Sequence, residues 1–347
     1  MVWNKKSQGL SVMDAMSSRS LNKVMVLYAG GTQSMHLKLS VLTQTPEFWR
    51  VLESSVSGVS TSYVLACTCR AVAPISDVCS VTPEYWLVMR QAIVRAVEVE
   101  GYSCVLVLHD ADILTYSAAV MSFFLLGLPA AVVFTGAMIA VDAADSDVWE
   151  NIAGGIMSLA KGLPNGVHLF FHGEILNPLC ATKIKTKGRH PYVEHACFTC
   201  QLDASCWPAQ INFKTPMKPV NVVVLPVFPG VNAEFIDGLV GSGIHALVLE
   251  HHSDGFVIDE VLGHGLVRSL RAAYDKGIVI VVISTCFGQK IHTVSTNARA
   301  AGVISSGYIT REVILGKLHA LLGAGLNQEQ IIAYIGGDKF RRYHWAQ

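Results

Sequence analysis

The sequence predicts an α/β protein in two units, each built on a mostly parallel sheet with helices on both faces. Three observations predict it. First, near-continuous apolar runs at Val24–Tyr28, Val105–Leu108, Val132–Phe134 and Val167–Phe171 have the length of strands covered on both faces. Second, helical signals separate these runs, and strand alternating with helix is the pattern of a parallel sheet. Third, regular patterning fades between residues 201 and 219, where Pro208, Pro216 and Pro219 fall, and the alternation then restarts. A chain of 347 residues with 51% hydrophobic content has material for two cores. The expected division is a tail (1–22), an N-terminal unit (23–200), a linker (201–219) and a smaller C-terminal unit (220–347).

The first strand, Val24–Tyr28, runs into Gly30-Gly31-Thr32, so one hydroxyl is delivered at its carboxyl end, where ligands of α/β sheets sit. A helix is expected around 46–53 and a strand through Tyr63-Val64-Leu65-Ala66. Thr82-Pro83-Glu84 opens a long helix, with an N-cap hydroxyl, proline at the first position and an acid in the first turn. Trp86, Met89, Ile93 and Val97 recur at helical spacing along it, and Gly101 marks its end. The next strand, Val105–Leu108, leads directly into His109-Asp110-Ala111-Asp112.

No charged residue occurs from Ile113 to Val141, but Gly127-Leu128-Pro129 breaks the stretch. It reads as a buried helix (115–126), a turn and a buried strand (130–134) rather than a membrane span. Asp145-Ser146-Asp147 introduce a helix carrying Asn151 and, near its end, Lys161. Beyond the linker the expected order is strand 222–227, the turn Phe228-Pro229-Gly230, helix 233–241, strand 246–249, a helix ending near Lys276-Gly277, strand 279–283, and helices from Thr310 and Asn327.

Lys+Arg and Asp+Glu number 26 each, so no net charge recruits nucleic acid or an anionic membrane. The nine cysteines are odd in number and scattered, which points to free thiols in a reducing, cytoplasmic setting. Cys197, Cys200 and Cys206, near His195, lack the second paired half of a structural zinc site, so no metal and no cofactor is expected. Lys5, Lys6 and Arg19 in the first 22 residues leave organellar import as the alternative localisation.

Several stretches in the same order resemble the bacterial-type L-asparaginases, the cytoplasmic type I branch above all. They are Gly30-Gly31-Thr32, Thr82-Pro83-Glu84-Tyr85-Trp86, Thr115-Tyr116-Ser117-Ala118 with Met121-Ser122-Phe123, Thr135-Gly136-Ala137-Met138, Ser146-Asp147 with Asn151, Phe228-Pro229-Gly230 and Lys317-Leu318-His319. The resemblance implies a larger flavodoxin-like N-terminal domain, a smaller C-terminal α/β domain, and homo-oligomers, dimers or tetramers, with sites completed across an interface. It also implies hydrolysis of asparagine to aspartate and ammonia. One Thr attacks the amide, and a second Thr with an Asp and a Lys forms the activating relay that a weak hydroxyl nucleophile needs.

Carried over by position, Thr32 falls on the nucleophile, Asp112 on the relay Asp and Lys161 on the relay Lys. Ala111 replaces the second Thr, and a methyl cannot pass a proton. Asp110 replaces a glycine, placing a negative charge where backbone should approach a substrate carboxylate. Asp77 is retained from the substrate-holding Asp-Ser turn, but Val78 replaces its serine. The chain between Met35 and Pro46 is too short for the family's lid. Phe256 stands where an asparagine is usually offered to the neighbouring site, and Cys286 stands where type I enzymes place an effector-site cysteine.

The losses concentrate on substrate-touching positions, so the expectation is a pseudoenzyme, a structural or oligomeric subunit retained on an asparaginase scaffold. Two alternatives stand beside it. One is an active amidohydrolase, with Thr32 as nucleophile, acting on a neutral or cationic amide. The other is a module that binds a small metabolite.

Overall fold

The computed structural model describes residues 23–30, 50, 54, 66–72, 82–139, 143–194, 207–258, 265–286, 291, 293–307 and 309–336. The N-terminal sheet has six strands: β1 (Lys23–Tyr28), β2 (Ala66–Ala71), β3 (Cys104–Leu108), β4 (Ala131–Thr135), β5 (Gly166–Phe171) and β6 (Glu174–Leu176). Their order is β2-β1-β3-β4-β5-β6, parallel except for the β5–β6 pair. The first five strands thus follow the doubly wound order 2-1-3-4-5, whose topological switch point lies between β1 and β3.

The C-terminal sheet is parallel throughout, in the order β14-β12-β10-β9, from β9 (Val222–Pro226), β10 (Ala246–His251), β12 (Val279–Ser284) and β14 (Val303–Ser305). Two short pairs complete the strands. A β7 (Ala181–Lys183) and β8 (Tyr192–Glu194) pair is antiparallel, and β11 (Gly255–Phe256) pairs with β13 (Thr293–Val294).

Strand side chains alternate between faces, and this alternation builds the layers. Val24, Val26 and Tyr28 of β1 pack with Leu106, Leu108 and Val133 against Ile152, Ile156 and Leu159 of helix α3 (Val148–Ala160). Met25 and Leu27 face the other way, into a core shared with α1 (Pro83–Glu98), α2 (Leu114–Phe124) and α7 (Arg311–Gly323). The same core reaches Ala246, Val248, Val279 and Val281 of the C-terminal sheet, so the two sheets enclose one helical layer. The outer face of the second sheet is covered by α4 (Ala233–Gly241), α5 (Leu266–Asp275) and α6 (Thr296–Ala300), and α8 (Gln328–Gly336) follows α7.

Helix α2 is buried at all but one of its positions, since it lies between the first sheet and α7. This accounts for the uncharged stretch, because a helix that is apolar all round belongs in a core as well as in a membrane. Among the described residues no helix is long and apolar enough to cross a membrane.

Strand β2 differs from the expected 63–66. Residues 63–65 lie outside the described residues, and the described strand continues to Ala71, paired in register with β1 from Lys23↔Ala66. Its sequence Ala-Cys-Thr-Cys-Arg-Ala is mixed in polarity, as suits a strand that has one neighbour in this sheet among the described residues.

Candidate active site

Three strand ends converge at the switch point. At the end of β1, Ala29 N–H donates to Leu108 O at 2.8 Å, and Gly30 adopts φ +77°, a left-handed backbone that glycine reaches without a steric penalty. The Tyr85 hydroxyl, on α1, donates to Ala29 O at 2.6 Å. His109 at the end of β3 reaches Gly30 O through Nδ1 (3.4 Å) and Ser117 Oγ on α2 through Nε2 (2.8 Å).

The Trp86 indole N–H donates to the same Ser117 Oγ at 3.0 Å, which leaves the hydroxyl proton to point at His109 Nε2. His109 therefore carries its hydrogen on Nδ1 and is neutral. Burial lowers its pKa to about 4, against the opposing pull of the Gly30 and Ala29 carbonyls. His109 thus ties the backbone leading to Thr32 onto the core.

The β4 end is locked in the same way. A Cβ on Gly136 would lie 2.3 Å from His109 O, so only glycine allows the β3 and β4 ends to approach this closely. Asn151 Nδ2 donates to Gly136 O at 3.0 Å, and the Asp147 carboxylate accepts from the N–H groups of Met138 (3.1 Å) and Ile139 (2.9 Å). The residues Ser146-Asp147 and Asn151, singled out in the sequence, are thus the supports of the third strand end.

The turn after His109 carries the charges. Asp110 is 5% exposed, and its Oδ1 accepts the Asp112 N–H at 2.7 Å. Burial raises its pKa. The Asp112 N–H opposes that rise, the Asp112 charge adds to it, and Lys183 opposes it. Ala111 is buried, and its carbonyl accepts from the Tyr192 hydroxyl at 2.6 Å. Burial above all holds the Tyr192 hydroxyl protonated, with the charges of Asp110, Asp112 and Asp147 adding to it.

The cation that meets Asp112 is Lys183 of β7, in a direct ion pair of Nζ with Oδ1. Lys161 is not that residue. It is the exposed C-cap of α3, a helix that runs from the β4 carboxyl end back to the start of β5, where Gly166 N–H donates to Ala130 O at 2.9 Å. Lys161 therefore sits near the amino ends of the strands, opposite the carboxyl ends where Asp112 lies. The alternation of Thr182-Lys183-Ile184-Lys185-Thr186-Lys187 is the period-two signal that could have pointed to Lys183.

The remaining candidates divide. Thr32, Asp77 and Val78 lie outside the described residues, as do Cys197, Cys200 and Cys206. Phe256 is a core residue, 1% exposed and stacked edge-on against His251, so its side chain is not displayed to a neighbouring subunit. Cys286 lines a cleft of about 570 Å³ together with Asp112, Tyr116, Lys183, Glu250 and Arg311, at the carboxyl ends of β10 and β12. Within the cleft the Arg311 guanidinium grips both oxygens of the buried Glu250 and donates to the Tyr116 hydroxyl at 3.3 Å.

Residues 23–199 match the family described as Asparaginase, N-terminal, and residues 221–335 match the Glutaminase/Asparaginase C-terminal domain. The chain belongs to the asparaginase family. Among its relatives, L-asparaginase 1 of Escherichia coli (strain K12) is 27% identical over 279 residues, covering 76% of this chain and 81% of that protein. The 60 kDa lysophospholipase of Homo sapiens is 24% identical over 339 residues, covering 87% of this chain and 58% of that longer protein. Among solved structures, the thermostable L-asparaginase from Thermococcus kodakarensis superposes with a TM-score of 0.73 at 21% identity, over 90% of this chain and 96% of that one. L-asparaginase I from Vibrio cholerae O1 biovar eltor str. N16961 gives 0.69 at 22%, with the same coverage. The fold is therefore the two-domain α/β asparaginase fold.

Proposed function

We propose that this chain is an amidohydrolase of the asparaginase type, with Thr32 as nucleophile and a substrate other than free asparagine. The observation that carries the reading is the Asp112–Lys183 ion pair at the carboxyl end of β3, beside the switch point to which β1 delivers Gly30. A hydroxyl is a weak nucleophile at neutral pH and needs a neighbouring group to take its proton. Lys183 with Asp112 supplies that group from this chain's own residues. With a methyl at Ala111, the proton passes to the Asp112 carboxylate of the pair, directly or through a water. The similarity to L-asparaginases on both domains supports the same class of reaction.

The second reading is the scaffold subunit, and Ala111 favours it. Loss of one relay hydroxyl costs about two to four orders of magnitude on the scale of general acid–base catalysis. Ammonia release from a panel of primary amides, by wild type and by Thr32→Ala, separates the two. Release that disappears in Thr32→Ala supports the amidohydrolase. A folded wild type silent on every amide, recovered from its native source as one subunit of a larger assembly, supports the scaffold.

A further inference from the structure

Lys183 stands on neither of the two larger sheets. Its strand, β7, pairs only with β8 among the described residues, so the hairpin that carries the cation has to be fastened to the layer that carries Asp112. The ion pair itself is a weak fastening. Asp112 is 65% exposed, and a pair open to water gains little toward ordering a long, freely rotating lysine stem.

Two hydrogen bonds supply the fastening, one from each strand of the hairpin. Tyr192 lies directly opposite Lys183 in the β7–β8 ladder, and its hydroxyl donates at 2.6 Å to the carbonyl of Ala111, the residue before Asp112. Thr182, the residue before Lys183, donates its hydroxyl to Glu312 Oε2 at 3.3 Å. A buried carboxylate is costly without donors, so Glu312, 4% exposed, holds this hydroxyl firmly. Glu312 is also a fixed point, since it lies in the first turn of α7, whose N-cap Thr310 accepts the Val313 N–H. Helix α7 packs along α2, and α2 begins two residues beyond Asp112. The contacts therefore close a ring, from Asp112 through α2, α7 and Glu312 to Thr182 and Lys183. Successive residues of a strand point to opposite sides, so Thr182 turned to Glu312 leaves Lys183 turned to Asp112.

We propose that Thr182, Glu312 and Tyr192 are positioning residues, which set the hairpin so that Lys183 rests on Asp112 rather than in solvent with Lys185 and Lys187. The use of the pair in catalysis rests on the amidohydrolase reading, whereas the placement of Lys183 does not.

Acetylation of the full chain by an N-hydroxysuccinimide ester, read at each lysine by mass spectrometry, measures the placement without turnover. Lys185 and Lys187, both exposed, are the references on the same hairpin. In wild type Lys183 should react at least about fivefold more slowly than Lys185, because its amine must first leave the pair. Thr182→Val, which keeps the shape without the hydroxyl, should bring Lys183 close to the rate of Lys185, and Thr182→Ser should restore the protection. Glu312→Leu breaks the same bond from the other side, so the double variant should go no further than either single one. Tyr192→Phe should expose Lys183 as well. Where an amide is turned over, Thr182→Val should lower kcat by about tenfold or more at unchanged KM, and Thr182→Ser should return it. Circular dichroism checks that each variant is folded.

A wild-type Lys183 as reactive as Lys185, protection unchanged in both Thr182→Val and Glu312→Leu, or protection lost equally in Thr182→Ser would overturn the inference. Protection that depends on Thr182, in a protein that releases no ammonia from any primary amide, upholds the positioning and ends the amidohydrolase reading. Ammonia release that needs Thr32 but keeps its kcat in Thr182→Val does the reverse.

Discussion

Lys183→Met and Lys161→Met together test which lysine belongs to the site. A close ion pair is worth about 4 kcal/mol of Coulomb energy at an effective dielectric of ~20. Asp112, however, is 65% exposed while Lys183 is 13% exposed, so water screens the pair and its net contribution falls to about 1 kcal/mol. Lys183→Met should therefore lower Tm by only about 2–4 °C. Its effect on ammonia release from an accepted amide should be of a different order, a fall of about 10²- to 10⁴-fold, because the proton relay that Lys183 forms with Asp112 is broken. Lys161→Met, at an exposed helix end near the amino ends of the strands, should change neither quantity. Differential scanning calorimetry and a coupled ammonia assay read the two effects separately. A Lys161→Met variant that lost activity beside a fully active Lys183→Met would refute the placement of the site.

Other perturbations follow from the same geometry. Gly136→Ala forces a methyl against the His109 carbonyl and should cost about 1–3 kcal/mol or more, read by urea denaturation, along with loss of ligand binding. Arg311→Ala strands the Glu250 carboxylate, 3% exposed, and should destabilise by about 1–3 kcal/mol, discounted because Arg311 itself is 44% exposed; Glu250→Gln should cost less. His109 and His319 are each held neutral by burial, with folded pKa values of about 4 against an ordinary 6.5. The unfolded chain then binds protons first as pH falls, so stability should drop between about pH 6.5 and pH 4, by roughly 3 kcal/mol for each histidine. Asp110 and Glu312, whose pKa values are raised by burial, act in the opposite sense and lose stability as pH rises through their range. His109→Gln should flatten the acid limb of a Tm against pH profile.

What the sequence made legible were features set by local chemistry. Val105–Leu108 had to be a covered strand, Thr82-Pro83-Glu84 had to start a helix, and Gly127-Leu128-Pro129 had to divide the uncharged stretch into α2 and β4. The ends of β1 and β3 stood out as a site because glycines and acids follow apolar runs there. Lys183 was not legible by the same means. It reaches Asp112 from 71 residues away, on a strand of three residues, and the period-two alternation over 182–187 marks Lys183, Lys185 and Lys187 alike. The β5–β6 hairpin was missed for a related reason, since its turn puts His172 at φ +44° where asparagine or glycine is the usual signal. Phe256 shows the reverse case, a position judged by its place in a motif that proves to be set by packing in the outer core.

The most direct measurement is ammonia release from a panel of primary amides by the purified protein, run beside Thr32→Ala and Lys183→Met. The predicted result is measurable release by wild type, with both variants reduced by about 10²-fold or more. No release from any primary amide by a folded wild type, or release that survives in Thr32→Ala, would contradict the assignment of this chain as a Thr32 amidohydrolase.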